Sequence, residues 1–521
     1  MKLAAEKRGI AKTPVLRTLI DDLLAEQQSL LTPVARFAEE HDREPDLAGH
    51  YRNLIPLSAP GPGEQYAFEV SLDRCTSCKA CVAACHSLNG LDDDEAWRDV
   101  GLLTGGAEEP GWQQTVTTAC HHCADPGCLT GCPVGAYEKD ATTGIVKHLD
   151  DQCIGCSYCI LKCSFDVPKF SKKRGIVRKC DMCQGRLAAG EAPACVQACP
   201  TGAIRIVKRN VAEVIAEGRA GKGFLNGAPS PHATLPSTRY VGRPVPSTAK
   251  PADQEALVPQ HAHWPLAIML SLTQAGLGLV IAAAFSGSQV VAIVGALVFL
   301  TGMAASILHL GRPLGAWRFF LGLRTSWLSR EILAFSMIAP LVMIVPALPV
   351  IGKWLPAFVL SGFPVALSIM AMIAVSTSVM IYVDTHRTTW RLAITGPRFF
   401  GTLMVFAAMG FSLSGDSLAV RVIASLVILL RILPEVRFLR KGEPSEVEWT
   451  ADRHVALLQR GPLKTILRLR FVLALIAALL LPGLPWLAFA LLLIAELCER
   501  SLFFESVHAP KMPGSFSASR H

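Results

Sequence analysis

Sixteen of the chain's seventeen cysteines lie between Cys75 and Cys199, in four groups of four. They read Cys75-x2-Cys78-x2-Cys81-x3-Cys85, Cys120-x2-Cys123-x4-Cys128-x3-Cys132-Pro, Cys153-x2-Cys156-x2-Cys159-x3-Cys163 and Cys180-x2-Cys183-x11-Cys195-x3-Cys199-Pro. Closely spaced thiolates with a fourth after a three-residue gap are the bacterial ferredoxin arrangement for a [4Fe–4S] cluster. Four such groups predict four clusters in one domain, hence an electron wire with all sixteen cysteines as ligands. A disulfide framework calls for an oxidising compartment and usually a short secreted chain, whereas this one has 521 residues and no secretory signal. Structural zinc favours two-plus-two ligand sets and gives no reason for a third cysteine followed by x3-Cys. Cys498, alone in an apolar C-terminal segment, reads as a buried small residue.

In two-cluster ferredoxins the fourth cysteine of one motif ligates the cluster held by the other. If outer groups nest with outer and inner with inner, Cys75, Cys78, Cys81 and Cys199 hold one cluster, and Cys85, Cys180, Cys183 and Cys195 its neighbour. Cys120, Cys123, Cys128 and Cys163 then hold a third, and Cys132, Cys153, Cys156 and Cys159 the fourth. Spacing alone also permits adjacent groups to pair.

The positioning elements fall into two halves. Before about residue 262 the chain is polar and punctuated by Gly and Pro, and the strand-like stretches Tyr66–Ser71, Gly144–His148 and Ala203–Val207 flank the cysteine groups. Residues 14–40 have helical periodicity and predict a surface helix packed on its own domain. Residues 227–262, rich in Pro, Ser, Thr, Gly and Ala, suit an extended tether. Beyond the tether the chain turns strongly apolar, which accounts for its 51% hydrophobic content. Apolar runs of about 20 residues span a bilayer as helices. Eight are present, near 264–286, 289–310, 331–350, 358–382, 397–414, 417–437, 465–483 and 485–504, and they are nearly free of mid-membrane charge, which disfavours an ion-conducting core. Trp264, Trp317, Trp327, Trp354, Trp390 and Trp486 sit near their ends, where interfacial tryptophans belong.

With eight spans, one side carries Arg312, Arg318, Arg324, Arg330, Arg387, Arg391, Arg437, Arg440, Lys441, Arg453, Arg460 and Lys464, against Lys353 and Arg421 opposite. The positive-inside rule then places the cysteine-rich domain in the cytoplasm; the absence of a twin-arginine or apolar leader agrees. The competing reading is that these arginines dock the cysteine-rich domain or a quinone. Haem b needs histidine ligands on facing helices, and the predicted spans have none in their interiors, so no haem is expected. His309 and Glu331 close two successive helices on the cluster-domain side. A quinol losing two electrons also loses two protons, for which an imidazole and a boundary carboxylate are suitable acceptors. Tyr382, Asp384, His386 and Arg387 form a second polar group on that side.

The four cysteine groups, including Cys120-His-His-Cys123-Ala-Asp-Pro-Gly-Cys128, resemble the electron-transfer subunit of dimethyl-sulfoxide-reductase-type molybdoenzymes. The segment from His309-Leu-Gly-Arg-Pro through Ser326-Trp-Leu-Ser-Arg-Glu331 resembles that family's eight-helix membrane anchor. The resemblance covers about residues 64–508 and implies the two subunits fused. It implies a double ferredoxin-like four-cluster domain (64–226) of α+β type, a Pro-rich tether (227–262) and an all-α eight-helix anchor (263–508), with an N-terminal helical extension (1–63) and a C-terminal tail (509–521). The family oxidises menaquinol at a haem-free anchor and passes electrons to a separate molybdopterin-containing catalytic subunit. Its quinol-site histidine and carboxylate fall on His309 and Glu331, with Arg312, Trp327 and Arg330 in the same motifs. The chain itself is then a non-catalytic, multi-pass component of the cell inner membrane, contacting lipid and quinol and no nucleic acid. A cytoplasmic partner is compatible with nitrate reduction, whereas dimethyl sulfoxide or sulfur-compound reduction is usually placed outside. Reverse flow, from formate or hydrogen to quinone, and a passive anchor without a quinol site are the alternatives.

Overall fold

The computed structural model describes residues 19–29, 48–105, 111–440 and 449–514, with the single positions 36, 39 and 43. Strand β1 (Glu64–Ser71) pairs antiparallel with β8 (Ile204–Asn210), Glu64 opposite Asn210. Alternate residues Tyr66, Phe68, Ile204 and Ile206 turn inward against Cys81, Cys180, Cys195 and Cys199. That pairing closes the outer half of the domain over the first and last cysteine groups. The inner half is closed by β4 (Tyr137–Lys139) with β5 (Val146–His148), around Cys132, Cys153 and Cys159. Two further hairpins, β2 (Asp99–Thr104) with β3 (Gln113–Thr118) and β6 (Lys169–Ser171) with β7 (Ile176–Arg178), complete this ferredoxin-like layer. All three expected strand segments are present as β1, β5 and β8.

The expected tether is largely part of this domain. Arg239–Val241 forms β9, parallel to β1, and Lys250–Pro251 forms β10 on the edge of β2. The Ser237 hydroxyl donates to the His121 carbonyl at 2.6 Å, and the Cys123 thiol donates to Thr234 at 3.5 Å. A Pro- and Ser-rich composition excludes a helix but leaves single backbone groups free to pair with a distant sheet edge. Helix Leu19–Ser29 lies inside the periodic stretch 14–40, yet Leu19, Ile20, Leu23 and Leu24 are all more than half exposed. The expected packing of that helix on its own domain is therefore absent among the described residues. The described part of the tail returns to the cluster domain, where Lys511 pairs with Asp253 at 2.6 Å and Met512 is buried.

Eight helices occupy the eight apolar runs: α1 (Trp264–Ser286), α2 (Gln289–Ala305), α3 (Trp327–Ile351), α4 (Ala357–Val383), α5 (Leu392–Ser414), α6 (Leu418–Leu439), α7 (Lys464–Leu480) and α8 (Pro485–Glu505). The first five are long and apolar enough to cross a membrane. Helix α1 is central, packed on α2, α4, α5 and α8. Its small residues permit close approach: a Cβ on Gly276 would lie 2.5 Å from the Phe299 nitrogen of α2, and one on Gly278 2.6 Å from the Leu403 carbonyl of α5. Trp264, Trp317, Trp354 and Trp486 are exposed near helix ends, as expected of interfacial anchors. Trp390 is not. It is buried, stacked on Phe503 at 5.2 Å and donating from Nε1 to the Phe503 carbonyl.

Candidate functional site

The four cysteine groups share a backbone signature. The residue before the second cysteine of each group has positive φ: Ser77 at 62°, His122 at 41°, Gly155 at 70° and Met182 at 60°. Three of these are not glycine, and such left-handed positions cost about 1–2 kcal/mol each. The turn aims backbone N–H groups at the sulfurs, as in Gly155 to Cys153 and Met182 to Cys180, both 3.4 Å. The fourth cysteine accepts from the amide four residues on: Ala136 to Cys132 at 3.2 Å, Val167 to Cys163 at 3.5 Å and Ala203 to Cys199 at 3.2 Å. In the first group the Asn89 side chain does this for Cys85.

The cysteines converge as the nested pairing requires. Cys75, Cys78, Cys81 and Cys199 line one small cavity. Cys85, Cys180, Cys183 and Cys195 are electrostatic neighbours, as are Cys120, Cys123, Cys128 and Cys163, and Cys132, Cys153, Cys156 and Cys159. The β1–β8 pairing decides this, because it brings the first and last groups together. Cys81 neighbours Cys195, Cys180 neighbours Cys120, and Tyr137 stands beside both Cys128 and Cys132, so the cages form a row. One end has the exposed Cys78 and the other faces the helices.

This donor set fits iron–sulfur clusters. Burial pushes the thiols of Cys81 up to about 11 and of Cys85 to about 12, and a bound metal favours their thiolates. Cys498 is buried in α8, apart from the cages, as a small apolar residue.

The loop between α2 and α3 grips the helix-facing cage. The Arg312 amide donates to the Ile154 carbonyl at 3.0 Å, between Cys153 and Cys156. Gly322 N and Ser326 Oγ donate to the carbonyls of Pro133 and Gly131, on either side of Cys132. A Cβ on Gly311 would fall 2.0 Å from the Gly175 carbonyl. Gly311→Ala is therefore expected to lift the loop, raising hydrogen exchange at the Arg312 amide by about tenfold or more, the equivalent of one lost hydrogen bond.

His309 ends the 3-10 turn that follows α2, half-buried, with a backbone hydrogen bond to Ser306 of the same turn. Burial and the neighbouring His261, His309 and Arg387 push His263 down to about 4, which places His263, absent from the sequence candidates, close to His309. Glu331 lies in the first turns of α3, buried, accepting a hydrogen bond from Ser378 of α4 and near Tyr158 and Tyr382. Among the described residues no direct hydrogen bond joins His309 to Glu331. Arg312 donates to the Asp150 carbonyl and Arg318 to that of Asp151, so both arginines dock the cluster domain. Arg330 donates to the carbonyls of Leu323 and Arg324 and lies 4.4 Å over the Trp327 ring. The second polar group is also a dock: Asp384 receives Lys162 at 2.8 Å and Tyr158 at 3.2 Å. Tyr158, next to Cys159, and Ser378 carry no sequence motif and are legible only through the fold.

Helices α5 to α8 bury a charge network, contrary to the expectation of spans nearly free of charge. Arg398, Arg431, Arg470 and Arg500 face Glu435, Glu496 and Glu499, with Arg470 at 2.7 Å from Glu496 and 3.1 Å from Glu435. Arg431 pairs with Glu435 and lies 3.5 Å from Glu496. Thr402 donates to Glu496 at 2.6 Å and Gln274 accepts from Arg500 at 2.9 Å. On α6 (Arg431, Glu435) and α8 (Glu496, Glu499, Arg500) the charges lie at i, i+3 and i+4 positions on one face, a pattern hidden by averaging hydropathy along the run.

Residues 112–209 match a 4Fe-4S dicluster domain family, and residues 261–505 match the DMSO reductase anchor subunit (DmsC) family. The chain is 38% identical over 150 residues to the B subunit of the anaerobic dimethyl sulfoxide reductase of Haemophilus influenzae, covering 27% of this chain and 73% of that one. Over 148 residues it is 38% identical to the corresponding B subunit of Escherichia coli (27% and 72%). It is 34% identical over 187 residues to the iron-sulfur subunit of the nitrate-inducible formate dehydrogenase of Escherichia coli (32% and 63%).

Proposed function

We propose that this chain, which belongs to the family of dimethyl-sulfoxide-reductase-type iron–sulfur subunits and carries that family's membrane anchor on the same polypeptide, oxidises menaquinol and passes the electrons through four [4Fe–4S] clusters to a separate molybdopterin-containing subunit. The observation that carries this reading is the grip of the His309–Glu331 segment on the loops bearing Cys132, Cys153 and Cys156. A quinol held by that segment has the shortest route into the row of cages. Clusters bound there carry one electron at a time.

Quinol oxidation releases two protons and two electrons. The His309 imidazole accepts a proton from a quinol hydroxyl. Glu331, held by Ser378, takes the second and passes it toward the boundary. Arg312 acts by holding the loop against the Cys153 cage, and Arg330 on Trp327 fixes the start of α3. Clusters held by the Cys132, Cys120, Cys85 and Cys75 cages would supply one-electron carriers in a row from the helix-facing end, past Tyr137, to the exposed Cys78, where a partner has access.

In this reading all eight helices span the inner membrane, with α6 to α8 tolerated because their charges pair inside the bundle. The cluster domain faces the cytoplasm on the positive-inside argument. Because Arg312 and Arg318 also dock the cluster domain, that argument rests chiefly on the other basic residues. The similarity to a formate dehydrogenase subunit favours a second reading, with the same wire run toward quinone.

Intact protein purified anaerobically in mild detergent is expected to hold about sixteen irons and sixteen acid-labile sulfides per chain. A menaquinol analogue should bleach its visible absorbance. A colourless, zinc-loaded protein would overturn the wire, and an iron-loaded one that quinol leaves oxidised but a formate-coupled partner reduces would favour the reverse direction.

A further inference from the structure

Two buried cations stand in successive gaps between the cages. Arg98, just before β2, is 2% exposed. Its Nη1 donates to the Thr117 hydroxyl at 3.2 Å, which lies 3.6 Å from Cys81 Sγ, and its Cζ sits 4.7 Å over the Phe68 ring. Its Nη2 is buried with no partner. The guanidinium is in electrostatic reach of Cys81 in the outermost cage and of Cys85, Cys180 and Cys195 in the second. Lys179 is likewise 2% exposed and donates to the carbonyls of Val146 and Cys180. It reaches Cys180 of the second cage and Cys120 and Cys128 of the third.

Among the described residues neither cation has a carboxylate within salt-bridge distance, although an uncompensated buried charge is costly. Asp181 is in electrostatic reach of Lys179, and the rest of the compensating charge is supplied by the cages, where four thiolates around an iron–sulfur core would leave a net negative group. The orphan Nη2 of Arg98 has the chemistry of a donor waiting for a sulfur acceptor.

We propose that Arg98 and Lys179 set the reduction potentials of the clusters on either side of them, Arg98 for the outermost pair and Lys179 for the second and third. A fixed cation stabilises the added electron of a reduced cluster, and low dielectric strengthens the effect. The inference rests on the four-cluster reading. The third cage also has Lys139, bonded to the Cys123 carbonyl, and Arg387 near Cys163. The gap before the membrane-facing cage holds the neutral Tyr137, with Arg312 at the surface nearby. That fourth cluster is the internal control.

The test is a redox titration of the intact detergent-solubilised protein, followed by electron paramagnetic resonance. Arg98→Gln is expected to disfavour reduction of the outer two clusters by about tenfold each, about 59 mV for a one-electron couple. Lys179→Gln should do so for the second and third, and the fourth should not move in either variant. Arg98→Lys and Lys179→Arg, which keep the charge, should stay within about threefold of the parent. Unchanged potentials in a protein with full iron content, or one shift common to all four clusters, would overturn the proposal. Should Arg98→Gln lose iron, Phe68→Leu removes the ring beneath the guanidinium and leaves the Thr117 contact to Cys81 in place; no shift confined to the outer pair would then remove Arg98 from the scheme. Iron missing from the parent protein itself would instead defeat the four-cluster reading.

Discussion

Replacing His309 by alanine should slow quinol-driven reduction of the clusters by about 10²–10⁴-fold, the usual worth of a positioned general base. Reduction of the same clusters by a small chemical reductant should be unchanged, because His309 is not a ligand. The expectation rests on two observations. Its imidazole is half-buried beside His263, and its backbone hydrogen bond, to Ser306, stays within its own turn. Three residues later the Arg312 amide is bonded between Cys153 and Cys156, so a quinol at His309 lies beside the first acceptor. Glu331→Gln keeps a hydrogen-bonding partner for Ser378 and removes the proton acceptor. It should slow the same step without moving the loop, which exchange at the Arg312 amide will report. Stopped-flow bleaching with a menaquinol analogue measures both rates. If His309→Ala reduces its clusters at the parent rate, the helices are an anchor and no more.

What the sequence discloses depends on how locally each feature is encoded. The sixteen cysteines are legible as a set because their spacing forces the same turn four times, now visible as positive φ at Ser77, His122, Gly155 and Met182. Their pairing into cages is not local. It depends on β1 meeting β8 across about 140 residues, a tertiary choice that spacing leaves open. The 227–262 stretch fails for the same reason: its composition correctly denies a helix, but Arg239–Val241 takes its conformation from β1. The arginines of the α2–α3 loop show a third limit. An arginine at a membrane boundary is equally suited to quinol, lipid or a carbonyl, and only the fold reveals that Arg312 and Arg318 hold the cluster domain. The charges of α6 to α8, by contrast, are legible. Arg431 with Glu435, and Glu496 with Glu499 and Arg500, repeat at helical spacing within runs judged by mean hydropathy alone.

That network carries the largest expected effect on stability. Arg470→Met should destabilise the bundle by about 3–5 kcal/mol, the usual penalty for breaking a buried ion pair from one side. Arg470 is 1% exposed and lies about 9 Å along α7 from its start, so water does not replace the lost partner. Without it Glu435 and Glu496 share Arg431, and their mutual repulsion is no longer offset. The double variant Arg470→Met/Glu435→Leu should recover most of the loss. Glu496 then keeps Arg431 and the Thr402 hydroxyl, and no carboxylate is stranded. Thermal unfolding in detergent separates the cases, since coupled charges predict a double variant more stable than the single. A double variant that is worse would show Arg470 and Glu435 acting independently. Quinol-driven reduction in the stabilised double variant then distinguishes structure from conduction. Retention of the parent rate assigns these charges to holding α5 through α8 together, whereas a fall at restored stability would mean that they move protons away from the quinol.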